Sequence, residues 1–518
     1  MTFAWKVAER LCNKNAHRPF ISLMESTENK RDGYARALKY TGVFGGVQGL
    51  NIIIGLVRSK LVALILGPVG MGLAALLNTI VSFVSQATNL GVSFSAVRHM
   101  SEIFESGDGR RIEAFVKTVR AWSAVAAIAG VAVCVAASPL LAGYALGGRG
   151  HAWQVAALAP TVAAVALAGG ESALLKGARR LRELATAQVV LVVLSLVVAV
   201  PAYLLMGVAG IIPVITLTAL ANLAVTARFS TRLFPVGMKG AWRSLGEGGG
   251  MVRLGLAFIM AGVLGSGAEM AVRSFLNTAA GLDVVGLYNA GYILTVTYAG
   301  MVFTAMEADY FPRLSAVNHD TAAVNTAVDR QIEVTLLVVS PMLAFIMTAM
   351  PWLVPLLYSG KFAPVVGMAQ AAVLAMYARA VLLPVTYMTL AKSHSLAYLV
   401  TEGLSAAAQV ALTVWCYGRW GLSGTGVALL LANVFDMAVM LVYTGVRYGY
   451  RPSLRVSAYA VLQFLTGAAA YLATFAATTV QRVVFGLLAF TASACLSVYA
   501  LKKNVGPLGN VFGRLRKR

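Results

Sequence analysis

The sequence predicts an all-α polytopic membrane protein of about fourteen spanning helices, built as two six-helix lobes related by a pseudo-two-fold axis along the membrane normal, plus two C-terminal helices. Three observations carry that prediction: a charge-poor composition, a series of apolar runs of spanning length, and an internal repeat. Of the 518 residues, 59% are hydrophobic and 12% charged, with a mean hydropathy of +0.76. A soluble globular chain carries about 25% charged residues, so that class is excluded.

Residues 1–38 form a polar, basic segment without the apolar core of a signal peptide. Phe3, Val7 and Leu11 recur at helical spacing beside Lys6 and Arg10, as in a helix lying on a lipid surface; a solvated tail is the alternative. An N-lobe over 39–228 holds apolar runs near 41–66, 71–96, 121–146, 152–176, 184–206 and 209–228. A charged linker, 229–253, leads to a C-lobe over 254–446, with runs near 254–277, 284–308, 334–357, 366–391, 396–416 and 424–446. Two further spans, near 456–479 and 483–501, occupy 447–501 before a basic tail, 502–518.

The net charge is +22. With an even number of spans both termini share one side, and most of the 42 Lys and Arg residues fall there. Arg58, Lys60, Arg149, Arg273, Lys361, Arg419 and Arg482 lie toward the other side, and Arg379 lies within a span. The positive-inside rule makes the shared side cytoplasmic. The basic balance therefore reflects topology and attraction to anionic lipids, and nucleic acid is excluded as a partner. Cys12, Cys134, Cys416 and Cys495 are scattered without metal-binding or disulfide spacing.

The two halves match in order at a nearly constant offset. Val57-Arg58-Ser59 corresponds to Val272-Arg273-Ser274, Gly67 and Gly72 to Gly281 and Gly286, and Pro139 and Gly148 to Pro351 and Gly360. Further on, Lys176 corresponds to Lys392, and Gly207 and Gly210 to Gly421 and Gly424. Six helices per repeat give both lobes the same topology, as in carriers whose path runs between parallel repeats.

A charge inside a span costs several kcal/mol unless it is paired or hydrated, so each is a candidate functional residue. Arg58 lies about 17 residues into the first span, roughly 26 Å of rise, and Arg273 is its repeat equivalent. Arg379 sits mid-span, beyond easy snorkelling. Together with Lys60 these form a candidate phosphate-binding set, because guanidinium grips phosphate oxygens bidentately. Lys60 points about 200° away from Arg58. Glu269 precedes Arg273 by one helical turn, so mutual neutralisation is the alternative. Asp436, an isolated mid-span acid, is a candidate for ion coupling, with Glu269 the second. Glu171 and Glu402, nearer span ends, fit structural roles. Glu307, Asp309 and Arg313 close the eighth span as a candidate gate. No metal site is indicated, no cofactor is expected beyond coupling H+ or Na+, and no phosphate-binding loop of an ATP motor occurs.

The stretch "SKLVALILGPVGMGLAALLNTIVSFVSQATNLGVSFSAVRHMSE" from Ser59, with "LLKGARRLRELA" at Leu174, "LDVVGLYNAGYIL" at Leu282, "DYFPRLSAVNHD" at Asp309 and "VPLLYSGKFAPV" at Val354, resembles the Wzx-type lipid-linked oligosaccharide flippases of the multidrug, oligosaccharidyl-lipid and polysaccharide (MOP) superfamily. The likeness covers about residues 40–450. It implies a non-enzymatic, monomeric flippase of the bacterial inner membrane with both termini cytoplasmic. Its cargo would be undecaprenyl-pyrophosphate-linked oligosaccharide of the O-antigen or common-antigen type, and other polysaccharide assembly proteins would be partners. A peptidoglycan lipid-precursor flippase and a drug or cation antiporter of the same superfamily are the alternatives. Short outer loops speak against a membrane polymerase, and "ESGDGRRIEAF" lacks the major-facilitator loop pattern.

Overall fold

The computed structural model describes residues 27–235, 249–318, 320–392 and 394–505. The amphipathic reading of Phe3, Lys6, Val7, Arg10 and Leu11, most of the linker and most of the basic tail lie outside the described residues. The helices are α1 (Thr27–Thr88), α2 (Val92–Ser106), α3 (Gly109–Ala136), α4 (Ser138–Ala145), α5 (Ala152–Ala156), α6 (Ala159–Gly177), α7 (Leu181–Met206) and α8 (Ile211–Leu233). They continue with α9 (Gly249–Ala280), α10 (Leu282–Tyr292), α11 (Tyr298–Ala316), α12 (Thr321–Leu357), α13 (Val365–Ala391), α14 (Ser395–Tyr448), α15 (Leu454–Ala473) and α16 (Thr479–Val505). The architecture is all-α, and no strand occurs among the described residues.

Nine helices among the described residues are long and apolar enough to cross a membrane, or ten with the bent pair Arg149–Ala156 and Ala159–Gly177 taken as one span. Three of them, Ile53–Thr88, Arg182–Leu233 and Ser395–Tyr448, are interrupted by a glycine with non-helical dihedrals, at Gly67, Gly207 and Gly421. The stretch Leu282–Ala316, where an eighth span is expected, is helical throughout and interrupted by a π-helical turn at Ile293–Thr297. Continuous helix begins well before the apolar run in two places, at Thr27 and Thr321, because backbone hydrogen bonding continues past the apolar run.

The glycines that align the two halves also share their backbone conformations. Gly67 (φ 63, ψ −171) and Gly281 (φ 92, ψ 176) occupy a region essentially restricted to glycine. Gly207 (φ 56, ψ −131) and Gly421 (φ 56, ψ −139) adopt a second such conformation. Short 3-10 turns stand at the matched positions Arg149–His151 and Gly360–Phe362. The internal repeat is therefore a repeat of turns as well as of spans.

The chain divides into two compact units. The first contains residues up to Ile65, Ile80–Gly143 and Gly148–Ile259. Its core lies among α2, α3 and α6, where Met100, Val119 and Leu174 are fully buried around Phe234. Arg120 on α3 binds Glu171 on α6 through both ends of its fork, Nε to Oε1 at 2.8 Å and Nη2 to Oε2 at 3.2 Å, and also reaches the Phe234 carbonyl at 3.4 Å. This pair ties the third and fourth spans to the end of the sixth.

The second unit contains Leu66–Thr79, Tyr144–Gly147 and the chain from Met260 onward. In it α13, the most enclosed of the described spans, packs against α10, α12, α14 and α15. The segment after Gly67 crosses α10 at paired glycines. A Cβ on Gly72 would collide with the Leu282 carbonyl, and one on Gly286 with the Pro68 carbonyl. Pro68 and Leu282 are themselves repeat equivalents, so the crossing is locally two-fold, each helix presenting equivalent positions to the other. Helices α15 and α16 pack together and against α12.

A polar clasp holds the chain that links α14 to α15. Asp329 on α12 accepts from the Tyr450 hydroxyl at 2.8 Å and the Ser453 amide at 3.0 Å, and Glu333 accepts from Arg455 at 3.1 Å. Burial, with the Asp329 carboxylate beside it, raises the Tyr450 hydroxyl well above the ordinary phenol range, so it stays a donor. Asp329→Ala leaves that buried hydroxyl without its acceptor. It is expected to cost about 1–3 kcal/mol, read as a lower unfolding temperature in detergent, whereas Arg455→Ala, which removes the half-exposed partner of Glu333, is expected to lower it less.

Candidate functional site

The second unit holds a cavity of about 420 Å³ whose wall is built from three spans. Helix α9 contributes Glu269, the interrupted eighth span contributes Tyr292, Val296, Thr297, Gly300 and Phe303, and α13 contributes Arg379, Leu383 and Tyr387. The size falls in the range of small-ligand pockets, and the lining is mainly aromatic and aliphatic with a few polar groups. The π-turn Ile293–Thr297 lies on this wall, a type of irregularity that recurs at functional sites. A smaller neighbouring pocket shares Phe303, Leu383 and Tyr387.

Arg379 lies midway along α13, with buried residues on both sides of it in the sequence. Its Nε is buried without a partner, and the side chain makes no hydrogen bond or ion pair among the described residues. It lies within electrostatic reach of Tyr292 and of two acids on α14, Glu402 and Asp436. The Asp436 Oδ1 is buried and unpartnered, with Ser405 beside it.

Arg273 is placed differently. It is 5% exposed. Its Nη1 donates to Glu269 Oε2 at 2.8 Å, and its guanidinium lies over the rings of Tyr288 and Tyr292 at 5.9 and 5.5 Å. The one-turn neutralisation left open by the spacing is the arrangement seen, and it is Glu269, with 47% of its side chain exposed, that faces the cavity. The Tyr292 hydroxyl donates to the other carboxylate oxygen at 3.4 Å.

Arg58 and Lys60 belong to the first unit and are half-buried; Arg58 acts electrostatically on the buried Tyr203 of that unit. Arg313 is exposed on α11. Glu307 and Asp309 lie on the same helix, and their side chains fall outside those described. The structure thus brings together Glu269, Arg273, Arg379 and Asp436. Sequence reasoning gives Glu402 a structural role and reads Tyr292 only as an aromatic able to stack on sugar rings, so it places neither in this group. An acid within the apolar α14 was the available signal for Glu402, whereas the bond from Tyr292 to Glu269 joins two different helices and no local spacing announces it.

The polysaccharide biosynthesis protein family matches this chain over residues 61–367, more than half its length. The chain belongs to that family. The match takes in Glu269, Arg273 and the π-turn, whereas Arg379, Glu402 and Asp436 lie beyond it. No curated protein matches the sequence. Among solved structures, this member of the polysaccharide biosynthesis family is similar to the lipid II flippase MurJ in an inward closed conformation, at 12% identity and a TM-score of 0.67, covering 88% of this chain and 99% of that one. It is also similar to an inward-facing multidrug resistance MATE family transporter of the MOP superfamily, at 15% identity and 0.57, covering 81% and 98%. A MOP superfamily transporter from Pyrococcus furiosus aligns at 16% identity and 0.54, covering 79% and 94%. The fold is that of these membrane transporters.

Proposed function

We propose that the protein is a flippase that carries undecaprenyl-pyrophosphate-linked oligosaccharide from the cytoplasmic to the periplasmic leaflet of a bacterial inner membrane by alternating access. Both termini are cytoplasmic in this reading, and the protein acts as a monomer without enzymatic chemistry. Anionic lipids hold its basic surfaces, and other polysaccharide assembly proteins hand over and receive the cargo. The observation that carries the proposal is Arg379: a permanently charged guanidinium, mid-span, unpartnered and on a cavity wall. A charge held in this way calls for an anionic ligand, and phosphate oxygens match its fork. Family membership supports the saccharide.

Asp436, whose Oδ1 is buried without a partner near Glu402 and Arg379, is the group proposed to take up a coupling H+ or Na+. Glu269, already paired with Arg273, is the weaker candidate for that role. An anion arriving at Arg379 draws that charge away from the two carboxylates, which then need a cation of their own. Transport by Asp436→Asn is expected to lose its dependence on the proton or sodium gradient. Uptake into proteoliposomes with imposed gradients measures this, and an unchanged dependence removes Asp436 from the mechanism.

The function itself is tested by complementation of a strain lacking its own oligosaccharide flippase, with surface polysaccharide as the readout. Restored polysaccharide supports the proposal. Similarity to the MurJ structure makes a lipid-precursor flippase the second reading, tested by rescue of a strain depleted of its own such flippase. Drug resistance without either rescue would point to an antiporter.

A further inference from the structure

Glu269 and Arg379 are the two charged side chains on the cavity wall, and they are held in opposite ways. Arg379 is unpartnered, whereas Glu269 is anchored by Arg273 at 2.8 Å and Tyr292 at 3.4 Å. Arg273 is buried behind it and Tyr292 stands beside it on the wall. A carboxylate offers about four acceptor positions, so two anchoring bonds leave part of that capacity for a ligand. The anchors fix the orientation of the carboxylate. The charge of Arg273 is matched locally, so the wall presents one acceptor site and one cationic site, flanked by the rings of Tyr387 and Phe303.

Such a wall discriminates by hydrogen-bond polarity. Sugar hydroxyls and amide N–H groups donate to Glu269, while the apolar face of the ring rests on the aromatic side chains. A second carboxylate brought against Glu269 meets like charge in a partly desolvated space, which disfavours it. We infer that Glu269 is a specificity-determining residue that admits saccharides presenting hydroxyl or amide donors at this wall and excludes uronic acids there. The inference rests on the flippase reading and narrows its cargo to neutral or amino sugars at that position.

The test uses the full-length protein in lipid nanodiscs and three short-chain prenyl pyrophosphate probes: one without sugar, one carrying an N-acetylhexosamine and one carrying a hexuronic acid. Wild type is expected to bind the hexosamine probe about tenfold or more tighter than the hexuronate probe. Glu269→Gln keeps an acceptor toward Arg273 but removes the charge. It is expected to erase that difference with a much smaller effect on the sugar-free probe, and Glu269→Asp is expected to retain it. Equal binding of the two sugar probes by wild type overturns the inference even if the Gln variant does not fold. A preference that survives in a folded Glu269→Gln overturns it as well. If wild type binds none of the three probes, the flippase reading falls and the inference with it; binding of the sugar-free probe without discrimination removes the inference alone.

Discussion

Arg379→Gln is expected to abolish display of surface polysaccharide while raising the unfolding temperature of the protein. The two signs follow from one fact. A guanidinium held mid-span without a hydrogen bond or ion pair, with Glu402 and Asp436 only within electrostatic reach, is a local cost to the fold, and the neutral amide relieves it. The same substitution removes the charge-assisted bonds to a phosphate, each worth about 1.5–3 kcal/mol, or about tenfold to more than a hundredfold in affinity. Loss of function with gain of stability is the pattern of a residue kept for its activity. Arg379→Lys keeps the charge but not the planar fork, so it is expected to recover only part of the activity. Complementation at matched expression and thermal unfolding in detergent measure the two effects. Full polysaccharide display by Arg379→Gln would sink the assignment, and a lower unfolding temperature with lost display would make Arg379 a structural residue.

The largest expected effect on stability is at Arg120. Its pair with Glu171 is 9% and 12% exposed on the two sides, and Arg120→Ala leaves a buried carboxylate without its counter-ion. Breaking such a pair costs about 3–5 kcal/mol. Removing both charges together, as Arg120→Leu with Glu171→Leu, replaces the pair by apolar volume and is expected to recover most of the loss, because the desolvation of two ions no longer has to be offset. Unfolding temperatures of Arg120→Leu, Glu171→Leu and the double variant form a cycle. If Arg120→Ala is no less stable than the double variant, the pair contributes little and the tie through the Phe234 carbonyl is what holds the end of the sixth span.

The spans were legible because a bilayer demands long apolar runs, and the bends were legible because conformations such as those of Gly67 and Gly421 demand glycine. That constraint keeps matched glycines visible where the intervening residues have diverged. The Glu269–Arg273 pair was also within reach of the sequence, since helical spacing alone places the two on one face. Two features were not legible. The π-turn at Ile293–Thr297 inserts one residue into a helix without the Gly or Pro that would announce it. The approach of Glu402 and Asp436 to Arg379 depends on how α13 and α14 pack, and no local pattern encodes that. Glu402, read from its position as a structural acid, lies within reach of both other charges. The cavity follows from the same packing.

The glycine crossing between the segment after Gly67 and α10 has a consequence for biosynthesis. Pro68 and Gly72 find their partners in Leu282 and Gly286, which leave the ribosome much later. At about 5–20 residues per second, the first hairpin waits on the order of 10 to 40 s before its glycine surface is covered. During that interval the nascent chain is open to wrong helix pairing and to capture by quality-control proteases. Maturation is thus timed by translation of the second half, and slowing elongation between these points prolongs the vulnerable stage without changing the finished protein.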